Sequence, residues 1–194
     1  MLARVHDALR SIPNGPCDGD GPGDLDAIYS RLAHLEDVLR STDVVEREWI
    51  LHDIDTRRRW LTANPHGPGT CVGGTQVIHG DYQLTNVLFD GVAISAVVDW
   101  DRARVASPLM EVVRSLDHGL GLDREDTTAF LAGYRSVRSI ADDDLAATVE
   151  YWTHQQARSL WALEQICIDG NSHVERLVQP FEPFAGRWEA ARIT

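Results

Sequence analysis

Three polar residues in the middle of the chain have the types that phosphoryl transfer requires. Asp81 follows the short apolar run Val77–Ile78, Asn86 follows in the same loop, and Asp99 comes after a second apolar run. Phosphoryl transfer needs a carboxylate that orients the attacking hydroxyl and accepts its proton, together with Mg²⁺ that neutralises the phosphate oxygens. Magnesium prefers hard oxygen ligands and keeps several waters. We therefore predict Asp81 as the base and Asn86 and Asp99 as the Mg²⁺ ligands.

A β-hairpin is the element that would bring these residues together. The pair Asp90-Gly91 between two apolar segments is a strong signal for a tight turn, and it predicts a second strand from Val92 to Val98. That strand would return Asp99 to the side of Asn86. The plainer alternative is that the three polar residues serve only turns and caps, as their types often do.

The order of these features resembles a known family. His79-Gly80-Asp81, then Asn86, a short hairpin and Asp99-Trp100-Asp101 are similar to the Brenner-type motif of the aminoglycoside phosphotransferase and choline kinase superfamily. The resemblance implies transfer of the γ-phosphate of ATP to a hydroxyl of a small molecule, with Mg²⁺ as cofactor. It also implies that His79 holds the loop in shape and transfers no proton. It does not choose among acceptor molecules.

The resemblance implies an α+β, mostly helical fold: the C-terminal lobe of a protein-kinase-like fold over residues 1–194, with a small β-hairpin that bears the catalytic loop. Within it we expect a helical hairpin (25–62), a catalytic loop and metal-binding hairpin (76–101) and a helical subdomain (108–194). Apolar residues at helical spacing predict helices over 1–12, 25–40, 44–61, 123–135 and about 145–168. The apolar face of the first is expected to comprise Leu2, Val5, Leu9 and Ile12.

Other segments suggest less chemistry. The Gly- and Pro-rich loops 13–24 and 64–75 lack the Lys and the strand-then-helix context of a phosphate-binding loop, and we predict surface loops. The run Arg57-Arg58-Arg59 is interpreted as a solvated face or as partners in internal salt bridges, with contact to a phosphate or nucleotide as the second alternative. Glu111 stands where the resembled family has the Asp of an Asp-Leu-Ala segment. Whether its role is structural or functional stays open.

Composition excludes several kinds of protein. At 194 residues and 43% hydrophobic, the chain is long enough for one domain with a core. The formal charge of −12 argues against nucleic acid or an anionic membrane as partner, since both attract basic surfaces. It fits either a pocket for a cationic, amine-bearing substrate or a general acidic surface. No membrane span or signal peptide is recognisable, so we expect a cytoplasmic protein. Three cysteines without a Cys-x-x-Cys pair predict neither a disulfide framework nor a zinc site.

The chain contains no lysine, since all 18 basic residues are arginines. Kinases of the resembled type hold the ATP phosphates with a Lys on a strand of the N-terminal lobe. We therefore expect that lobe, with its Gly-rich loop, to lie upstream of Met1, and we assign no nucleotide-binding residue in this chain. The alternative function is a non-catalytic remnant, or a binding module that lacks its nucleotide-binding lobe.

Overall fold

The structure is a computed structural model and describes residues 1–13, 24–42, 47–68, 72–175, 179–191 and 193. Its helices are α1 (Leu2–Leu9), α2 (Leu25–Ser41), α3 (Arg47–Ala63), α4 (Pro108–His118), α5 (Arg124–Arg135), α6 (Asp142–Arg158), α7 (Trp161–Cys167), α8 (Ser172–Glu175) and α9 (Phe184–Ala190). Its strands are β1 (Gln76–Ile78), β2 (Val87–Asp90), β3 (Ala93–Val97) and β4 (Arg104–Ala106). The expectation of a mostly helical α+β fold is confirmed.

The chain divides into two compact units. Unit 1 comprises Met1–Asp20, Thr70–Trp152 and Phe184–Thr194, and unit 2 comprises Gly21–Gly69 and Thr153–Pro183. The segment 108–194, which we expected as one helical subdomain, thus contributes residues to both units. Within the described residues, no helix is both long and apolar enough to cross a membrane.

Unit 1 contains two small antiparallel sheets. β2 pairs with β3, with Val87 opposite Val97 and Asp90 opposite Ala93. The turn between them consists of Gly91 and Val92, and Gly91 has a φ of +60°. The predicted hairpin is therefore confirmed. The second sheet pairs β1 with β4. β4 was not predicted, because a strand with only three paired residues leaves little pattern in the sequence.

The helices of unit 1 cover these sheets with an apolar core. Ser107 caps α4, since its hydroxyl accepts a hydrogen bond from the Leu109 N–H at 3.2 Å, and Pro108 occupies the first turn, where a missing N–H costs nothing. Asp123 caps α5 in the same way through the Asp126 N–H. Buried core side chains come from both helices and from α6 and α9: Met110, Val112, Val113, Leu116, Leu131, Tyr134, Leu145, Val149, Trp152 and Phe184.

The first helix differs from its prediction. α1 ends at Leu9 instead of Ile12, and Ile12 is 42% exposed. Of the predicted apolar face, Leu2 is buried, Val5 and Leu9 are half-buried, and the prediction is wrong for Ile12. The other fully buried residues of α1 are Ala3 and His6, so a histidine lies on a face for which only apolar residues were expected.

In unit 2, helices α2 and α3 form the predicted helical pair. Asp24 caps α2 by accepting from the Asp26 N–H at 3.1 Å. The two helices contribute a row of fully buried aliphatic side chains: Leu32, Leu35, Leu39, Ile50, Ile54 and Leu61. Cys167 is a buried free thiol, while Cys17 and Cys71 lie outside the described residues.

The three consecutive arginines of α3 form salt bridges, which is one of the roles predicted for them. Arg57 is buried, and its Nε lies 2.6 Å from Asp53 Oδ2. Arg58 pairs with Glu36 at 2.8 Å, and Arg59 pairs with Asp55 at 3.0 Å.

Arg57 also explains why the predicted long helix over 145–168 is wrong. The helix stops at Arg158, and α7 begins at Trp161. The Arg57 Nη1 donates to the carbonyl oxygens of Gln156 (2.5 Å), Ala157 (3.3 Å) and Ser159 (3.3 Å). These carbonyls would otherwise accept hydrogen bonds from the next turn of a continuous helix.

Two aspartates of α3 provide a test of the buried pair. Asp53→Ala removes the partner of a buried guanidinium and the acceptor of the Phe181 N–H. We expect the free energy of unfolding to fall by about 3–5 kcal/mol, since an unpaired buried charge is costly. Asp55→Ala breaks a pair of the same i,i+4 spacing whose side chains are 55% and 66% exposed. Its effect should stay below about 1 kcal/mol. Equal losses in denaturant titrations of the two variants would contradict this account.

Candidate functional site

The loop that follows β1 carries the predicted motif, and His79 fixes its shape. The His79 ring is fully buried. Its Nδ1 accepts a hydrogen bond from the Asp81 N–H at 3.2 Å, and its Nε2 lies 2.9 Å from the Val98 carbonyl oxygen. These partners place the ring hydrogen on Nε2, which donates to Val98. Both nitrogens are thus engaged with the backbone, in keeping with a holding role.

Asp81 lies at the start of this loop and is held by a helix. Arg114 of α4 places its Nη2 2.6 Å from Asp81 Oδ1, and the two side chains are 17% and 15% exposed. The other oxygen, Oδ2, accepts a long hydrogen bond of 3.4 Å from Gln83 Nε2. The guanidinium therefore fixes one carboxylate oxygen, while the second accepts only the long hydrogen bond from Gln83.

Asn86 and Asp99 lie on adjacent stretches of backbone. The Val98 N–H donates to the Asn86 carbonyl oxygen at 3.0 Å, one residue beyond the β2–β3 ladder. The Asn86 side-chain Nδ2 donates to the Asp81 carbonyl oxygen at 2.8 Å, which fixes the amide orientation. Asp99 is exposed and has a φ of +63°, a left-handed conformation that Asp tolerates better than most residues.

These residues have the donor types that fit Mg²⁺. With the Asn86 NH₂ engaged, its carbonyl oxygen remains as a hard ligand atom, and Asp99 offers a carboxylate from the neighbouring strand end. Within the described parts of the chain, this site included, no group of three or more His, Cys, Asp and Glu side chains is arranged to hold a metal ion. Asn86 and Asp99 supply one amide and one carboxylate, which are ligand types that suit Mg²⁺.

Helix α4 holds the loop at four successive positions. The Glu111 carboxylate accepts hydrogen bonds from the Gly80 N–H (2.5 Å) and the His79 N–H (3.2 Å). Arg114 contacts the Asp81 side chain as described, and the Ser115 hydroxyl lies 2.8 Å from the Tyr82 carbonyl oxygen. The open question about Glu111 is thus answered in part, because its carboxylate makes structural hydrogen bonds to the loop.

Arg114 and Ser115 were not singled out from the sequence. A signal for them did exist, since residues three and four positions after Glu111 lie on the same face of a helix. Had Glu111 been assigned to the loop, its neighbours on that face would have followed.

A second cluster lies on α4 one turn further on. Asp117 is buried and accepts from Trp152 Nε1 at 2.9 Å and from Arg187 Nη2 at 2.6 Å. The ring of His118 meets that of Trp152 with a centroid distance of 5.5 Å, and burial lowers the pKa of the His118 imidazole. The carboxylates of Asp81 and Asp117 are therefore each paired with an arginine.

A cavity of about 300 Å³ lies behind the loop in unit 1. Its walls are mostly apolar and include Tyr82, Val87 and Phe89. None of the three predicted site residues lines it. The cavity is therefore separate from the predicted phosphoryl-transfer residues Asp81, Asn86 and Asp99.

Comparison with known protein families gives a match over most of the chain. The family model described as "Phosphotransferase enzyme family" matches residues 1–156. Among the curated proteins compared, none matches.

Solved structures to which this chain is similar include aminoglycoside phosphotransferases and a macrolide phosphotransferase. An aminoglycoside phosphotransferase candidate from Ralstonia eutropha JMP134 is 19% identical, with a TM-score of 0.51 over 98% of this chain and 63% of its own. A thermostable mutant of aminoglycoside phosphotransferase APH(4)-Ia, in complex with AMP-PNP and hygromycin B, is 20% identical, with a TM-score of 0.42 over 98% of this chain and 62% of its own. A macrolide 2'-phosphotransferase type I is 20% identical, with a TM-score of 0.42 over 93% of this chain and 57% of its own. The chain spans about three fifths of the length of these structures.

Gly80 provides a test of how tightly the loop is held. Its φ is +81°, and a Cβ at this position would lie 1.9 Å from the Arg102 carbonyl oxygen. Gly91→Ala is the matched control, because its φ is +60° and a Cβ would meet nothing within 4 Å. We expect Gly91→Ala to cost about 1–2 kcal/mol of stability. Gly80→Ala should cost at least about 2 kcal/mol more, because the backbone must move. Similar melting temperatures for the two variants would refute the close approach.

Proposed function

Because the chain belongs to the phosphotransferase enzyme family, we propose that it transfers the γ-phosphate of ATP to a hydroxyl group of a small molecule. The observation that carries this proposal is a chain of contacts around Asn86. Its side chain binds the Asp81 carbonyl, and its own carbonyl accepts from Val98, the residue before Asp99. Arg114 of α4 holds the Asp81 side chain. A cytoplasmic location is part of the proposal, since that compartment supplies ATP.

Asp81 is the proposed base. The acceptor hydroxyl donates its hydrogen to the carboxylate, and its oxygen attacks the γ-phosphorus of ATP as the bond to the β–γ bridging oxygen breaks and ADP leaves. Arg114 holds Oδ1 at 2.6 Å, so we assign Oδ2 to the acceptor hydroxyl. The salt bridge fixes the plane of the carboxylate before the acceptor arrives, which lowers the entropy cost of alignment.

Asn86 and Asp99 are the proposed Mg²⁺ ligands. When bound, Mg²⁺ neutralises charge on the phosphate oxygens of the nucleotide. Asn86 joins this site to the base, because its side-chain nitrogen holds the Asp81 carbonyl. Two protein ligands suffice, since Mg²⁺ retains waters and takes phosphate oxygens for its remaining positions.

A second candidate function is a binding module without catalysis. The observation that favours it is the absence of lysine from the chain, since related kinases use a Lys to hold the ATP phosphates. The two functions differ in one measurable property, which is nucleotide affinity. Magnesium-dependent ATP binding by the purified chain supports the enzyme, whereas no heat of binding up to millimolar ATP supports the module.

The role of Asp99 can be tested by calorimetry. Asp99→Asn keeps a residue that tolerates a positive φ and removes only the charge. We expect the magnesium-dependent part of ATP affinity to be lost, with the melting temperature nearly unchanged. Asp90→Asn makes the same change at an exposed position of the same hairpin and should bind Mg²⁺–ATP as the unmodified chain does. Unchanged affinity in Asp99→Asn would remove this residue from the site.

The role of Asp81 calls for a kinetic test. Asp81→Asn keeps the shape of the side chain but cannot accept the hydroxyl proton. We expect kcat with a hydroxyl acceptor to fall by about 10²–10⁴-fold, the usual contribution of a general base. Mg²⁺–ATP affinity should be retained, which separates the base from the metal ligands. A variant with full turnover would exclude Asp81 as the base.

A further inference from the structure

A buried polar network reaches the catalytic loop from the first helix. His6 Nε2 lies 2.8 Å from Glu111 Oε2, and His6 Nδ1 lies 2.8 Å from the Tyr134 hydroxyl. The side chain of His6 is fully buried, and Glu111 is 2% exposed. The network thus runs from α5 through α1 to α4, and it ends on the carboxylate that holds the His79 and Gly80 N–H groups.

The donors of this network point towards Glu111. His6 Nε2 donates to the Glu111 carboxylate, because an ionised carboxylate only accepts. Burial raises the pKa of the Tyr134 phenol to about 12, so this hydroxyl keeps its proton within hydrogen-bond distance of His6 Nδ1. Glu111 therefore accepts three hydrogen bonds, one from a side chain and two from the loop backbone.

The three acceptor contacts depend on one another. Oε2 is shared between His6 Nε2 and the His79 N–H, while Oε1 serves the Gly80 N–H. A carboxylate is planar, so the direction that His6 gives to Oε2 also sets the position of Oε1. Without His6, the side chain can rotate about its last bond, and both loop N–H groups lose a fixed acceptor.

The backbone of His6 is itself held by a side chain of β1. Gln76 of β1 donates through Nε2 to the His6 carbonyl oxygen at 2.8 Å, and Arg138 Nη1 lies 3.0 Å from Gln76 Oε1. β1 is the strand that leads into the loop. α1 is thus tied to the same strand and, through Glu111, to the loop that follows it.

We propose that His6 is a positioning residue for the catalytic loop. It acts through Glu111, and the orientation of its ring is set by Tyr134. The consequence for catalysis rests on the proposed phosphotransferase function, whereas the effect on the loop does not. Asp81 follows directly on the two N–H groups that Glu111 holds. A loop displaced by about 1 Å would misplace the base, at a cost of about 100-fold in kcat.

Amide hydrogen exchange measured by NMR tests the proposal without any need for activity. In His6→Leu, we expect exchange of the His79 and Gly80 N–H groups to accelerate at least tenfold. Exchange in the middle of α5, for example at Leu131, should change less than threefold, because local opening differs from global unfolding. His6→Gln retains an N–H donor near the place of Nε2 and should keep loop exchange within about threefold of the unmodified chain.

Two further results complete the test. Tyr134→Phe removes only the hydroxyl, so this mild variant still reports on the network if His6→Leu does not fold; we expect selective acceleration of about threefold at His79 and Gly80. Acceleration spread evenly over unit 1, or none at the loop, would overturn the proposal.

A kinetic arm separates this proposal from the proposed function. With an acceptor that turns over, His6→Leu should lower kcat about 100-fold and leave KM for ATP within about threefold, and His6→Gln should restore most of kcat. If the unmodified chain transfers no phosphate, the proposed function fails while the exchange result still decides the role of His6.

Discussion

The buried carboxylate of Glu111 is the constraint on which the rest of unit 1 depends. A carboxylate removed from water must be surrounded by donors, or its burial is prohibitively costly. Here the donors are two successive backbone N–H groups and an imidazole. Two successive N–H groups can point at one carboxylate only if the backbone turns sharply between them, which the positive φ of Gly80 permits. The shape of the loop thus follows from the need to satisfy one buried charge.

The candidate site is assembled from segments that are far apart in the chain, and each is held by a different kind of contact. His79 joins the loop to the end of β3 through the Val98 carbonyl, and Asn86 joins the same strand end through its backbone. Arg114 adds a salt bridge to Asp81. Because loop, hairpin and helix share these contacts, a change in any one of them displaces the others. Such shared contacts would hold the proposed base, Asp81, within the tolerance that catalysis requires.

Sequence reasoning recovered those features whose causes are local. The hairpin followed from Asp90-Gly91, and the helix α5 from apolar residues at helical spacing over 123–135. It missed features whose causes lie elsewhere in the chain. His6 was assigned no role from the sequence, although its hydrogen bonds to Glu111 and Tyr134 make its burial favourable. The break after α6 was missed because its cause is Arg57, and β4 was missed because its pairing partner is distant and short.

The end of α6 has a consequence for the order in which unit 2 can form. At this boundary a residue of α3 satisfies carbonyls of α6, because the Arg57 guanidinium donates to those of Gln156, Ala157 and Ser159. Chains are synthesised from the N-terminus, and α3 leaves the ribosome long before α6. The Arg57 guanidinium is therefore synthesised before the carbonyls that it contacts, whereas the Phe181 N–H that donates to Asp53 is synthesised later still. The order of translation therefore follows the order of the contact: α3 is made first, and the end of α6, which the arginine of α3 contacts, is made later.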